Sequence, residues 1–288
     1  MDILNKNLDY ERPIKLADDV YWVGYTDVKA GFHCNPYLLV DGDEAVLIDG
    51  GSRPDFSTVM MKVMETGVEP KSISTLIYHH YDPDLCGNIP NLEDLIGRKD
   101  LRIISHRENN IFIRHYAVKS RLECVQTLDY RLVLKSGREL KFIMTPYSHS
   151  AGSFVTYDNK TGILFSSDLF GSYEAGDEWN LFKILKEPCR GCDNKEAFAV
   201  AAHEKFICKK IDSVCPLPGI FNFHRRVMTS NTALRHSLTQ MLKTSPAIVA
   251  PQHGSVIPEK KDIDYISSKL SLMGDIGIDG ILGGGKNG

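Results

Sequence analysis

Apolar residues recur along this chain with two periods, and the periods predict its elements. Val20–Gly24 (VYWVG) is β-branched and aromatic, and Tyr37–Val40 and Ala45–Asp49 flank the turn residues Asp41-Gly42-Asp43-Glu44, which predicts a strand and then a hairpin. After Pro54 the spacing changes. Phe56, Val59, Met60, Val63 and Met64 recur at i+3 and i+4 spacing before Gly67, the pattern of a helix with one buried face. Ser72–Tyr78 reads as a short apolar strand, Asn91–Ile96 as a helix and Leu101–Ser105 as a strand. Two further hairpins follow, Leu132–Leu134 with Leu140–Met144, and Phe154–Tyr157 with Ile163–Phe165 around Asp158-Asn159-Lys160-Thr161-Gly162. Beyond them, helices are predicted over Glu196–Lys210, Val227–Leu242 and Asp262–Leu272, with Ala247–Val249 as a strand between. Strands in two clusters, set among helices, are the order of an α/β protein.

Composition narrows the class. At 288 residues, 42% hydrophobic and 25% charged, the chain can bury a large core and is neither disordered nor a disulfide scaffold. Thirty-seven acidic against 34 basic side chains leave a charge of −3, with no excess to neutralise phosphates, so nucleic acid is not the expected partner. Seven cysteines are an odd number and suit a reducing cytoplasm. The first residues lack the apolar stretch of a signal peptide, and no apolar run is long enough for a membrane span, so a soluble cytoplasmic protein is expected. Residues 1–282 are expected to form one domain, and the glycine-rich 283–288 a flexible tail.

Four loops, each directly after a strand-like run, collect ligand-type residues: His80-x-Asp82-x-Asp84; Tyr147-Ser148-His149-Ser150-Ala151-Gly152; Ser166-Ser167-Asp168; and Pro251-Gln252-His253-Gly254. One such histidine alone reads as a hydrogen-bonded surface residue, whereas four strand exits of this kind point to a shared site. Imidazole suits iron and zinc, carboxylates suit harder cations, and three carboxylates nearly neutralise two divalent ions. A carboxylate shared between two ions holds them about 3.5–4 Å apart, so that a small molecule can bind across both.

In these loops the sequence resembles the metallo-β-lactamase superfamily, and within it the diiron branch of flavodiiron proteins, over most of residues 20 to 260. Zinc hydrolases of the superfamily carry H-x-H-x-D-H in the first loop and diiron members H-x-E-x-D-H. Here His80-Tyr81-Asp82-Pro83-Asp84-Leu85 has the carboxylate, as Asp, which favours iron. Leu164–Gly171 resembles the family's bridging-Asp segment and Ala250–Gly254 its last ligand loop. The resemblance implies a four-layer αββα sandwich and two iron ions joined by an oxygen bridge, with His80, Asp82 and His149 on one, Asp84 and His253 on the other, and Asp168 between. Leu85 stands where the family usually has a His, which leaves the second iron an open position beneath an apolar side chain, and the neighbouring His79 points the wrong way to compensate. Flavodiiron proteins continue into a flavin-binding domain, which does not follow here, so no flavin is expected in this chain. Short homologues with His-Ser-Ala-Gly in the third-ligand loop resemble the oxygen-binding diiron proteins of bacterial chemotaxis. The implied function is therefore a ferrous site that binds dioxygen as a sensor, in a homodimer, with a chemotaxis receptor or other signalling protein as partner. The rivals are a dioxygen or nitric oxide reductase fed by a separate electron donor, a dinuclear zinc hydrolase, and a scaffold that has lost its metal.

Other features have two readings each. Cys189-x2-Cys192-x15-Cys208-x6-Cys215 begins like a zinc ribbon, but its second spacing is too long, and Cys208 on a helix reads as a small apolar residue; a redox role for Cys189 with Cys192 stays open. His33 either supports a ligand of the metal site or is a surface loop residue, and Tyr81 and Tyr147 either hydrogen-bond an oxygen species or pack. His224-Arg225-Arg226 and Arg235-His236 read as solvated helix charge.

Overall fold

Successive side chains of a strand face opposite ways, and the burial of adjacent residues shows where each face goes. Leu38 and Leu39 are both fully buried, yet Leu38 joins one apolar cluster and Leu39 another, and the same holds for Leu76 and Ile77. A strand apolar on both faces must lie between two layers. The computed structural model describes residues 8–26, 33–173, 179–193, 196–197, 200 and 206–283.

The first seven strands are β1 (Ile14–Ala17), β2 (Val20–Trp22), β3 (Tyr37–Asp41), β4 (Glu44–Ile48), β5 (Ile73–Ile77), β6 (Arg102–Ser105) and β7 (Arg121–Cys124), hydrogen-bonded in that order in one sheet. Pairing is antiparallel up to β4 and parallel from β4 to β7. The parallel crossovers carry helices α1 (Phe56–Glu65), α2 (Pro83–Cys86), α3 (Ile89–Ile96) and α4 (Arg107–Ile113). Val59, Met60 and Val63 of α1 and Ile89, Leu92 and Ile96 of α3 form one cluster with Leu38, Leu47, Leu76 and Ile103.

The second sheet uses β8 (Arg131–Val133), β9 (Glu139–Met144), β10 (Phe154–Asp158) and β11 (Ile163–Phe165). After a short helix α5 (Glu187–Arg190) and a two-strand ribbon of β12 (Ile207–Cys208) and β13 (Ser213–Val214), its last strand is β14 (Ile248–Ala250), in the order β14-β11-β10-β9-β8. Its inner face, with Leu140, Phe142, Phe154, Ile163 and Phe165, meets Trp22, Tyr37, Leu39, Ile48 and Ile77 of the first sheet. Its outer face, with Val155, Leu164 and Val249, is covered by α6 (Leu217–Val227), α7 (Asn231–Leu242) and α8 (Lys260–Ser271); α9 (Ile278–Gly283) ends the described chain. Three apolar clusters between four layers make the αββα sandwich.

Three of the predicted elements differ in the structure. The helix expected over Val227–Leu242 starts later, at Asn231, because the chain is extended at Met228 and restarts at Ser230, whose side chain caps α7 at Ala233 N. The helix expected over Glu196–Lys210 lies partly outside the described residues, and its end is strand β12 followed by a turn, so Cys208 sits on a strand. Gly283 is the last residue of α9, and 284–288, the rest of the expected tail, lie outside the described residues.

Candidate metal centre

The four ligand loops leave the same edge of the sandwich. The first follows β5: Tyr78 N donates to Ile104 O, Asp82 is the N-cap of α2 in extended conformation, and Pro83 opens that helix. His80 is 1% exposed, and Asp82 and Asp84 flank the helix start. The second loop joins β9 to β10 and holds His149 at φ 112°, a conformation only glycine adopts freely, at a cost on the order of 1–3 kcal/mol. Tyr147 N donates to Ser150 O and Ser153 N to Ser150 O, which close the loop and fix that geometry. Asp168 leaves β11 on a turn with Ser167 and Phe170 at positive φ, where Ser166 Oγ donates to Leu169 O. His253 follows β14, and its loop is held by Asn35 Nδ2, which donates to Pro251 O and Gly254 O.

The side chains converge in two groups that share Asp168. His149 Nε2 lies 3.2 Å from Asp82 Oδ2 and 3.3 Å from Asp168 Oδ2, and His80 Nε2 lies 3.4 Å from Asp168 Oδ1. On the other side His253 Nε2 lies 3.2 Å from Asp84 Oδ2 and 3.6 Å from Asp168 Oδ1. Donors that each sit about 2.1 Å from one ion at angles near 90–110° are themselves about 3.0–3.4 Å apart, so these separations are those of side chains able to share an ion. Hydrogen bonding alone leaves the centre unsatisfied: both ring nitrogens of His80 and Oδ1 of Asp168 are buried without a partner. Such atoms carry a desolvation cost that an ion would remove.

Charge gives the same picture. Burial would raise the Asp168 carboxyl, but His80, His149 and His253 outweigh it and hold the group well below the usual carboxylate range. Burial would lower His80, yet Asp168, Asp84 and Asp82 lift it to about 9. Burial likewise opposes a charged His253, and Asp84 and Cys34 raise it well above the ordinary imidazole value. Three carboxylates, with Asp168 buried among them, thus draw in positive charge, which two divalent ions would supply in place of protons.

The surroundings orient the donors. His253 Nδ1 donates to His33 O at 3.0 Å, which leaves Nε2 for the centre. His33 is fully buried and stacks on Trp179 at 4.2 Å, so it is no surface residue. Gln252 Nε2 donates to Asp84 Oδ2. His79 faces away from the centre: Nδ1 lies 2.6 Å from Asp49 Oδ2 and Nε2 2.9 Å from Thr156 Oγ1, so both ring nitrogens are engaged and it is not available as a ligand.

Three further residues expected around the centre differ in burial. Leu85 is fully buried in the cluster between the first sheet and its helices. Tyr81 packs its ring on Phe112 at 4.4 Å, and Tyr147 is 57% exposed. His224, read as solvated charge, is fully buried: Nδ1 donates to Ile220 O, and Nε2 accepts from Phe170 N on the Asp168 loop. Cys189, Cys208 and Cys215 belong to the cluster under the helices of the second sheet, as small apolar residues do. Sequence reasoning missed Cys34, whose sulfur lies within 4.8 Å of the donor atoms of Asp84 and His253, and Asn109, whose Nδ2 donates to His79 O and Gly152 O and so ties the first loop to the second. Neither belongs to a ligand motif.

Known proteins place this arrangement. A family model described as ODP family beta lactamase matches residues 32–254. The solved structure of the apo state of chemotaxis sensor ODP from T. denticola superposes with a TM-score of 0.69 at 23% identity, over 94% of this chain and 97% of its own. A structure of a peroxy diiron species of chemotaxis sensor ODP gives 0.67 at 22% identity, over 94% and 98%. The coenzyme F420H(2) oxidase of Methanocaldococcus jannaschii is 28% identical over 223 residues, 72% of this chain and 53% of that enzyme. Matches to the curated relatives span from 24% to 53% of the relatives' length in such cases. With two His/Asp groups meeting on one aspartate at the edge of an αββα sandwich, the chain belongs to the ODP family of β-lactamase-fold proteins.

Proposed function

We propose that this protein is a diiron oxygen-binding protein that acts as an oxygen sensor. His80, Asp82 and His149 would hold one iron, Asp84 and His253 the other, and Asp168 both. The observation that carries the reading is the position of Asp168, 2% exposed, with its oxygens facing imidazoles of both groups. Asp82 favours iron over a zinc hydrolase centre, since it puts a carboxylate where zinc members have an imidazole. When bound in the ferrous state, two such ions would supply the electrons for binding dioxygen. The chain's own part is to exclude water and keep the donors fixed: His80 and His253 are buried, whereas Asp82 and Asp84 retain side-chain exposures of 35% and 25%, which marks the side from which a small molecule enters.

Likeness to a chemotaxis sensor over most of both chains supports sensing and, with it, a chemotaxis receptor or other signalling protein as partner. The likeness to an F420H(2) oxidase supports the second reading, a reductase of dioxygen or nitric oxide with an external donor. Anaerobic reduction followed by an oxygen titration separates them. A sensor consumes about one dioxygen per iron pair and then stops, with a lasting absorption change. Continuous consumption in the presence of a generic reductant contradicts the sensor and supports the reductase.

A further inference from the structure

The two donor groups are unequal if only histidines and aspartates are counted. The first has His80, His149, Asp82 and Asp168, whereas the second has His253, Asp84 and Asp168. The position that would supply a further imidazole is Leu85, and its side chain lies in the apolar cluster of the first sheet. A different element comes to the second group instead. The segment between β2 and β3 crosses the last ligand loop: Cys34 forms an antiparallel bridge with His253, Asn35 N donates to Gln252 O at 2.8 Å, and Tyr25 N donates to Cys34 O. Gly24 permits this crossing, because a Cβ there would lie 2.6 Å from Cys34 O. The Cys34 sulfur, a carboxylate oxygen of Asp84 and a ring nitrogen of His253 fall within 4.8 Å of one another. Independently of the cysteine, Asp168 Oδ1, buried and without a hydrogen-bond partner, lies 3.6 Å from His253 Nε2.

Building on the diiron reading above, we propose that Cys34 is a thiolate ligand of the second metal ion. Both ions then have four protein donors, and the second gains a charge-donating sulfur in place of an imidazole. Iron accepts such a donor, and coordination deprotonates the thiol. The thiol proton is released to solvent as the Cys34 sulfur joins the ion.

Cobalt(II) reports the ligand directly. Loaded anaerobically with two equivalents of Co2+, the parent protein is expected to show a near-ultraviolet thiolate-to-cobalt charge-transfer band that Cys34→Ser lacks and that a Cys189→Ser/Cys192→Ser protein retains. Cys34→Ser should keep the first ion and bind the second at least about tenfold more weakly. Peptide mapping after alkylation of the parent gives a readout that no folding defect of the variant can disturb: Cys34 should react in the metal-free protein and be protected in the loaded one. Two bound cobalt ions with no thiolate band, a band that survives in Cys34→Ser, or equal alkylation in both states overturns the inference while leaving the diiron reading intact. Failure of the parent to bind cobalt or iron at all overturns both.

Discussion

At the residue scale, burial decides what each histidine can do. His224 has its pKa lowered to about 4 from 6.5 by burial, which outweighs the opposing pull of the Ile220 carbonyl and of Asp168. The unfolded chain therefore takes up this proton first as pH falls. Stability from the neutral ring is complete above about pH 6.5 and lost by about pH 4, an effect of roughly 3 kcal/mol. In metal-free protein, His224→Phe should be less stable than the parent at pH 7, and the gap should narrow as denaturant unfolding is repeated towards pH 4; a constant gap would show that the imidazole carries no such linkage. Leu85 gives a second test. Because its side chain lies in an apolar cluster, Leu85→His places a polar ring without a partner there and should lower stability by about 1–3 kcal/mol while leaving the metal content unchanged. An added metal-bound imidazole in its spectrum would instead put position 85 at the centre.

At the element scale, the centre is a property of loops that rigid strands aim at one point. The ligand loops were legible in the sequence because each directly follows an apolar run: β5, β9, β11 and β14 all end within five residues of a ligand. What was not legible is what holds them. Asn109 lies on α4, an element without a strong apolar period, and nothing local marks it as the donor that joins His79 O at 3.1 Å to Gly152 O at 2.9 Å. Helix α6 was also missed: it opens with Pro218 and Gly219, although the proline sits in the first turn, where it is tolerated. Cys34 escaped because its contact with His253 joins positions more than two hundred residues apart. Asn109→Ala leaves two buried carbonyls without a donor, and it should weaken metal binding about 10–100-fold while costing about 1–3 kcal/mol of stability. Competition with a chelator checks the first and denaturant unfolding the second; unchanged chelator competition would mean that the two loops are fixed without it.

At the scale of the whole molecule, the two sheets have different tasks. Their shared core of Trp22, Tyr37, Phe154 and Phe165 fixes one sheet against the other, and the candidate centre draws side chains from both: His80, Asp82 and Asp84 follow a strand of the first sheet, while His149, Asp168 and His253 follow strands of the second. Asp168 is where the two sets meet, so the account stands or falls on it. The most direct test is iron content after anaerobic reconstitution, measured on the parent, His253→Ala and Asp168→Ala at matched folding by circular dichroism. The account predicts about two irons per chain in the parent, about one in His253→Ala, which serves a single ion, and almost none in Asp168→Ala, which serves both. Equal iron in the two variants, or two zinc ions and little iron in the parent despite iron in excess, would contradict it.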